Sequence, residues 1–261
     1  MMDFEDILRI NADKVALLHA VRHDGKLIEI HQHDGLRWIC TGGDSIQSLI
    51  CLDKPTELLL ANTRAMLAAL LLCAEPRNIL NLGFGAGAFE RFFRDRLPLL
   101  ALESVDSNPI LVDLARMYFQ VPADWPVVIE TAERYLRHCQ SQFSVIFCDI
   151  FTGAVPADCL FDADFYADAA RCLADDGVMA LNLSPDTEAG LLRSLLVIRE
   201  SFNWVLLIKV PDHGNIVLLL SKLRPPADSV LQQRAAAMQL SLGVDLTAVL
   251  QQLNHLPPRH A

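Results

Sequence analysis

Short apolar runs alternate with amphipathic segments along most of the chain after Pro76. The apolar runs have the length of buried strands, and the segments between them repeat apolar residues at helical spacing. The predicted strands lie near 78–83, 99–106, 126–130, 143–149, 177–183, 203–210 and 215–221. The predicted helices lie near 86–97, 109–119, 131–139, 162–174 and 187–201. This alternation is typical of an α/β domain, in which a parallel sheet carries helices on both faces.

The segment before this alternation has a different pattern, with short strands separated by turn residues. Residues 27–33 alternate apolar and polar side chains, Asp34-Gly35 is a turn dipeptide, and residues 36–40 resume the strand pattern. After a second predicted turn at 41–44, residues 45–51 form a further apolar run. We therefore expect a small antiparallel β-meander.

Three helix-ending or turn-forming segments indicate where the chain divides into domains. Residues 55–73 have helical periodicity that ends before Pro76, Asp212–Asn215 predicts a tight antiparallel turn between the last two strands, and Pro225-Pro226 precedes a helical stretch. We expect a β-rich domain over 1–54, an α/β domain over 55–224 and a helical tail over 225–261.

Charge and hydropathy narrow the class of protein. The chain has 261 residues, is 52% hydrophobic and carries a formal charge of −10. The negative charge argues against nucleic acid or an anionic membrane as a partner, and it suits a cationic substrate. The longest apolar run, residues 66–74, is much shorter than the roughly 20 residues of a membrane span. The acidic start lacks the basic region of a signal peptide.

The cysteine and histidine residues do not indicate a metal site. The seven cysteines form no Cys-x-x-Cys pair, so we expect reduced thiols in a cytoplasmic protein. His31 and His33 share one face of a predicted strand, which fits either a metal pair or a solvated face. No third ligand is obvious nearby, and this favours the solvated face.

Three glycines at alternate positions, Gly83, Gly85 and Gly87, follow the apolar run that ends at Leu82. Glycine has no Cβ, so such a loop lets the backbone approach a nucleoside closely. Asp106 follows about 20 residues further on, at the end of the next predicted strand, where a carboxylate can hold both ribose hydroxyls. The alternative is an ordinary tight turn, but the strand–loop–helix placement favours a nucleoside-bearing co-substrate.

Two further acidic residues end predicted strands. Asp149 closes the apolar run 143–149, and a carboxylate there faces the crevice of a doubly wound sheet, where its pKa can be tuned for proton abstraction. Its structural alternative is a cap for the following loop. Glu130 lies where an adenine amino group is expected, and its alternative is an ordinary acid at a helix N-terminus. Asn81 and Glu103 also border the predicted site.

Several stretches resemble the spermidine synthase family. They are Asn81–Gly87, Val105–Pro109, Leu114–Phe119, Val145–Phe151, Leu160–Phe161, Asp164–Tyr166 and Asp175–Met179. The similarity covers roughly residues 27–221. Ser45–Ser48 is similar to the segment whose glutamine touches the co-substrate in that family, which makes Gln47 a candidate contact.

The resemblance implies a Rossmann-like class I methyltransferase fold, with a seven-stranded, mostly parallel sheet whose last strand is antiparallel. The 55–224 domain would then bind the nucleoside and carry the catalytic site. It also implies decarboxylated S-adenosylmethionine as aminopropyl donor, methylthioadenosine as by-product, a small amine as acceptor and, as family expectation, a homodimer. Neither a prosthetic group nor a metal is implied. Asp149 matches the family's catalytic aspartate, which helps deprotonate the attacking amine.

The sequence departs from the family pattern mainly on the amine side of the site. Thr152 stands where the family has a second aspartate, and the stretch around Ala61-Asn62-Thr63 lacks the expected tyrosine. Thr131 replaces the acid of the adenine-contacting segment, and the family's Gln-Gly-Glu type segment reads Leu181-Asn182-Leu183-Ser184. A dicationic amine needs paired carboxylates or aromatic faces to offset its desolvation.

Three functions therefore stay open from the sequence. The first is an aminopropyltransferase or close relative with an altered acceptor. The second is an S-adenosylmethionine-dependent methyltransferase, which would need a cation for the methionine carboxylate, and none is visible near the glycine loop. The third is a non-catalytic nucleoside-binding or interaction protein that kept the fold, because fold alone does not fix activity.

Overall fold

The structure is a computed structural model that describes residues 14–43, 46–73, 75–152, 155–185, 187–211 and 214–258. Some predicted features fall partly outside these ranges. Asp44 and Ser45 belong to the predicted second turn and the strand after it, and Asp212 and His213 belong to the predicted antiparallel turn. Within the described ranges, no helix is both long and apolar enough to cross a membrane.

Four antiparallel strands at the start of the chain form a sheet of their own. They are β1 (Ala16–His23), β2 (Lys26–His33), β3 (Leu36–Thr41) and β4 (Ile46–Cys51), and they lie in sequence order. The turns Asp24-Gly25 and Asp34-Gly35 have positive φ at both residues, as two-residue type I′ hairpin turns require. The predicted small antiparallel sheet is confirmed.

The rest of the chain builds an eight-stranded sheet. Its strands are β5 (Asn78–Leu82), β6 (Ala101–Asp106), β7 (Val128–Ile129), β8 (Phe143–Cys148), β11 (Leu173–Leu183), β12 (Trp204–Lys209), β13 (Ile216–Ser221) and β14 (Leu253–His255). A separate hairpin joins β9 (Phe151–Thr152) to β10 (Val155–Pro156). The large sheet has the order β14-β12-β13-β11-β8-β5-β6-β7. The five strands from β11 to β7 are parallel, and β13 is antiparallel to both of its neighbours. The predicted mostly parallel α/β fold is confirmed.

Helices cover both faces of this sheet. They are α1 (Ala61–Met66), α2 (Ala69–Leu72), α3 (Ala88–Arg96), α4 (Pro109–Tyr118), α5 (Ala132–His138), α6 (Ala163–Cys172), α7 (Glu188–Ser201), α8 (Asp228–Leu242) and α9 (Thr247–Gln251), with a 3₁₀ helix at Asp158–Phe161. Side chains of β8 alternate between the two faces. Phe147 stacks on Phe89 of α3 at 4.3 Å between ring centroids, whereas Ile146 belongs to the core that contains Tyr166 of α6.

The N-terminal sheet packs on the same region of the α/β domain that carries the glycine loop. Ile28 and Ile39 form one buried cluster with Phe84 of the loop and with Leu114 of α4. The hydroxyl of Ser48 in β4 accepts a hydrogen bond from the N–H of Ala86 at 3.2 Å. The small sheet is therefore fixed directly against the glycine loop.

The structure differs from the sequence predictions in two elements. The tail beyond Pro225 contains, besides α8 and α9, the strand β14, which pairs antiparallel with β12 and makes the sheet eight-stranded instead of seven-stranded. Three residues are too few to show a strand period, and the pairing exists only because β12 offers an edge. The predicted helix over 55–73 begins only at Ala61, and i→i−3 hydrogen bonds around Leu67 divide it into α1 and α2.

Candidate active site

Polar groups collect at the carboxyl edge of the parallel strands, where ligands bind in doubly wound sheets. Asn182 lies near the end of β11, Asp149 follows β8, Gly83 and Gly85 follow β5, and Asp106 ends β6. Together with Glu130 after β7, these residues line one cavity of about 840 Å³. The fold thus brings together the glycine loop and the three predicted carboxylates.

The glycine loop is held by backbone contacts that a side chain would break. The N–H groups of Gly83 and Phe84 both donate to the carbonyl of Val105, at 2.9 and 3.1 Å. Gly83 has φ +94, and a Cβ built on it would lie 2.2 Å from the carbonyl oxygen of Asp149. The loop can therefore lie directly against the start of the Asp149 segment only because this residue is glycine.

Gly87 has a different place from the other two loop glycines. It does not line the cavity but caps the start of α3 in the left-handed conformation, with φ +70. A Cβ there would lie 2.6 Å from Cγ2 of Val121. The structure thus gives Gly87 a conformational role in turning the loop into the helix, and its predicted contact with a co-substrate stays a prediction.

Asp106 is buried beneath the loop and accepts two backbone hydrogen bonds. Its Oδ2 accepts from the N–H of Gly85 at 3.0 Å, and its Oδ1 accepts from the N–H of Asn108 at 2.8 Å. Burial raises the pKa of Asp106, and its backbone donors act in the opposite direction. Each carboxylate oxygen has a further lone pair, so both can accept one more donor from the cavity.

Glu130 and Gln47 both line the cavity. The N–H of Glu130 donates to the carbonyl of Asp106 at 3.1 Å, and its Oε1 pairs with Nε of Arg134 at 2.7 Å. Gln47 reaches the cavity from β4. Asn81 and Glu103, by contrast, do not line it: the amide of Asn81 donates to the buried Glu90 at 2.8 Å.

Asp149 is held at the end of β8 by its N–H, which donates to the carbonyl of Leu82 at 2.9 Å. Its side chain receives two amide donors. Asn182 Nδ2 lies 2.8 Å from Oδ1, and Asn62 Nδ2 lies 3.5 Å from Oδ2. Burial raises the pKa of Asp149 to about 6, and the hydrogen bond from Asn182 partly offsets this. The carboxylate can therefore take up and release a proton near neutral pH.

The sequence analysis missed four residues that border this site. Asn215 donates to Asn182 at 3.1 Å, and Asn62 contacts Asp149 from the stretch that lacks the family's tyrosine. Lys26 lines the cavity from the N-terminal sheet, and Ser48 holds the glycine loop. A polar residue inside or beside an apolar segment is the only signal that could have indicated them.

The histidines of β2 have protein partners in the structure. The ring of His31 stacks on Trp38 at 5.7 Å between centroids. His33 Nδ1 lies 3.0 Å from the carbonyl of Lys14. Among the residues described, no group of three or more His, Cys, Asp or Glu side chains is arranged to hold a metal ion.

Known proteins resemble this chain in sequence and in fold. The family model for the spermine/spermidine synthase domain matches residues 64–189. The polyamine aminopropyltransferase of Chromobacterium violaceum is 30% identical over 225 residues, which cover 84% of this chain and 85% of that protein. A probable spermidine synthase from Corynebacterium glutamicum superposes with a TM-score of 0.73 at 22% identity, covering 92% of this chain and 90% of the other. A spermidine synthase in complex with the transition-state analogue AdoDATO gives 0.65 at 15% identity, covering 87% and 88%.

The fold is that of class I methyltransferase-like proteins, and the 30% identity to a polyamine aminopropyltransferase places the chain among the transferases. The 30% identity extends over most of both chains. The chain belongs to the spermidine synthase family.

Proposed function

We propose that the protein transfers an aminopropyl group from decarboxylated S-adenosylmethionine to a small amine acceptor, with Asp149 as the base. One observation carries this proposal: a carboxylate with a pKa of about 6 lines the same cavity as the glycine loop and Asp106. The name of the Chromobacterium violaceum relative, polyamine aminopropyltransferase, supports the reaction type.

The charge of the cavity suits two cationic substrates. The lining residues that the structure describes include six carboxylates, against one lysine. The carboxylates belong to Asp24, Asp106, Glu130, Glu133, Asp149 and Asp158. A sulfonium and an ammonium both gain from such a field, which raises their local concentration in the cleft. The acidic lining thus agrees with a cationic donor and a cationic acceptor.

The nucleoside would occupy the half of the cavity near β5, β6 and β7. The bare backbone at Gly83 and Gly85 allows close approach, and Asp106 offers a lone pair on each oxygen to the ribose hydroxyls. Glu130 would accept from the adenine amino group, and Gln47 would contact the donor from β4. The complex of a related spermidine synthase with AdoDATO supports an adenosyl compound at this place.

In the proposed reaction, the amine nitrogen attacks the methylene carbon beside the sulfonium. The new C–N bond forms as the C–S bond breaks, and the bonding pair goes to sulfur, which leaves as neutral methylthioadenosine. The amine must first lose its proton, and Asp149 accepts it. For an alkylammonium of pKa about 10.4, transfer to an ordinary aspartate is uphill by about 6.5 pKa units, or roughly 9 kcal/mol. A base of pKa about 6 lowers this to about 4.4 units, or roughly 6 kcal/mol.

Lys26 supports a second candidate function, methyl transfer from intact S-adenosylmethionine. The sequence analysis found no cation near the loop, but Lys26 lines the cavity from β2. A lysine there can pair with the methionine carboxylate, which the decarboxylated donor lacks. The two candidates differ in donor and in by-product, so one experiment separates them.

The test incubates the purified protein with either donor and a panel of mono-, di- and triamines, and measures both by-products. Aminopropyl transfer predicts methylthioadenosine release from the decarboxylated donor, with a loss of at least 100-fold in the Asp149→Asn variant. Asp113→Asn is the matched control, because this exposed carboxylate lies on α4 and its ion-pair partner among the described residues is Arg116. Turnover of intact S-adenosylmethionine to S-adenosylhomocysteine would select the second candidate, and nucleoside binding without turnover of either donor would refute both.

A further inference from the structure

Two asparagines form a directional hydrogen-bond chain that ends on Asp149, and a third asparagine reaches the same carboxylate separately. Asn215 Nδ2 donates to Asn182 Oδ1 at 3.1 Å, and Asn182 Nδ2 donates to Asp149 Oδ1 at 2.8 Å. Asn62 Nδ2 reaches the other carboxylate oxygen at 3.5 Å. These residues come from the loop before β13, from β11 and from α1. Their side chains meet only at the carboxyl edge of the sheet.

The direction of this chain is set by the chemistry of its two ends. An ionised carboxylate only accepts hydrogen bonds, so Asn182 must turn its NH₂ group towards Asp149. Its carbonyl oxygen then faces Asn215, whose NH₂ group satisfies it. Asn182 is 1% exposed, and both polar atoms of its side chain are used. A flipped Asn182 would place two acceptors against each other at the Asp149 contact and two donors against each other at the Asn215 contact.

We propose that Asn182, held in one orientation by Asn215, is the positioning residue that keeps the Asp149 carboxylate ionised at neutral pH. A hydrogen bond donated to the charged form of a buried carboxylate favours that form, whereas burial disfavours it. Asn215 acts only through Asn182, because its amide does not contact Asp149 itself. The proposal rests on the proposed function, in which Asp149 must be ionised to accept a proton.

The ionisation of Asp149 also depends on the other groups that pack around it. Gly83 contacts its backbone from the β5 loop and has no side chain. Cys148, the preceding residue in β8, is a titratable neighbour within the described part of the chain, and burial raises the pKa of its thiol well above the usual range. Since that thiol is neutral at physiological pH, the side chains that donate to the carboxylate among the described residues are the amides of Asn182 and Asn62, which do not titrate.

The test measures the titration of Asp149 directly, by ¹³C-carboxyl NMR with the Asp149→Asn spectrum subtracted. Losing a hydrogen bond to a charged group shifts a pKa by about 1–2 units, so Asn182→Leu is expected to raise the Asp149 midpoint by that amount. Asn215→Ala is expected to raise it by less, since Asn182 keeps its amide but loses its fixed orientation. Asn254→Ala, on the exposed strand β14, is the control and leaves the midpoint unchanged.

The double variant tests whether Asn215 works through Asn182. If it does, Asn182→Leu/Asn215→Ala has the same midpoint as Asn182→Leu alone, because the second residue has nothing left to orient. An additive shift, or an unchanged midpoint in Asn215→Ala and Asn182→Leu, overturns the proposal. Asn215 is only partly buried, so its variant keeps the test open if Asn182→Leu does not fold.

The kinetic signature is a change in pH dependence. For an upward shift of one unit, kcat/KM of Asn182→Leu is expected to fall about tenfold below that of the unaltered protein near pH 5 and to match it above about pH 8. A purely structural defect would lower activity at every pH. Because the NMR midpoint needs no turnover, the inference can fail while the proposed function stands, and the reverse also holds.

Discussion

Replacing Asp149 by asparagine is expected to stabilise the folded protein at neutral pH while it removes the proposed activity. The carboxylate ends the buried strand β8, and burial raises its pKa to about 6 in the folded state. In the unfolded chain it titrates near 3.9. The folded protein therefore holds the proton more tightly than the unfolded chain does, and stability falls as pH rises through this window.

The magnitude follows from the two pKa values. A folded pKa of about 6 against about 3.9 in the unfolded chain gives a difference of roughly 2.1 units, or about 3 kcal/mol above pH 6. Below pH 4 both states are protonated and the penalty vanishes. Water in the cavity screens the partly exposed carboxylate, so we expect about 2 kcal/mol at pH 7. Asparagine does not titrate, so the variant lacks this penalty at every pH.

The assay is urea unfolding of both proteins between pH 4 and pH 8, with the difference in unfolding free energy plotted against pH. The difference should grow by about 2 kcal/mol in favour of Asp149→Asn between pH 4 and pH 7. Any effect that does not depend on pH adds a constant and leaves this slope unchanged. Asp113→Asn should give a flat difference. A flat line for Asp149→Asn as well would refute the argument that burial raises this pKa.

Three further outcomes are expected. Gly83→Ala should lose roughly 2–4 kcal/mol of stability. Its control, Gly25→Ala, has a similar positive φ but nothing within 4 Å of the new Cβ, so it should lose about 1 kcal/mol. Equal losses in urea unfolding would contradict the clash with Asp149. Asp106→Asn should weaken methylthioadenosine binding at least tenfold, measured by calorimetry. The NH₂ group of the new asparagine would face a backbone N–H whose hydrogen bond the carboxylate accepts in the unaltered protein. Unchanged affinity would exclude Asp106 from the nucleoside site. Glu90→Gln should gain stability relative to the unaltered protein as pH rises from 5 to 8, because burial raises the pKa of Glu90; a pH-independent difference would show that this side chain is already ionised.

The glycine loop and the strand-end acids could be read from the sequence because their signals are local. A strand that ends in glycines allows positive φ and close backbone approach there whatever surrounds it, and a carboxylate that closes an apolar run must lie at a sheet edge. Gly83, Gly85, Asp106, Asp149 and Glu130 accordingly lie together in one cavity. Gly87 follows the same sequence pattern, but in the structure it is the N-cap of α3, in the left-handed conformation with φ +70.

The three amides at Asp149 and Asn182 could not be predicted from the sequence, because Asn62, Asn182 and Asn215 have no local pattern in common. Asn62 and Asp149 are 87 positions apart, and Asn182 is 33 positions from both Asp149 and Asn215. Each asparagine by itself resembles any polar residue at the border of an apolar segment. Lys26 was missed for the same reason, since only the packing of the N-terminal sheet brings it to the cavity.

The alternation of strands and helices, the small antiparallel sheet and the placement of Asp106 and Asp149 were determined by the sequence itself. Periodicity and strand-end position act over a few residues, and no distant contact is needed to express them. The tertiary structure alone decided that β14 joins the edge of β12 and that the helix after Pro55 starts late and divides. It also decided that Asn62 and Asn182 reach the candidate base, that Asn215 donates to Asn182, and that Lys26 lines the same cavity. These features depend on an available strand edge or on side chains from separate elements meeting in space, and a linear pattern does not encode either of them.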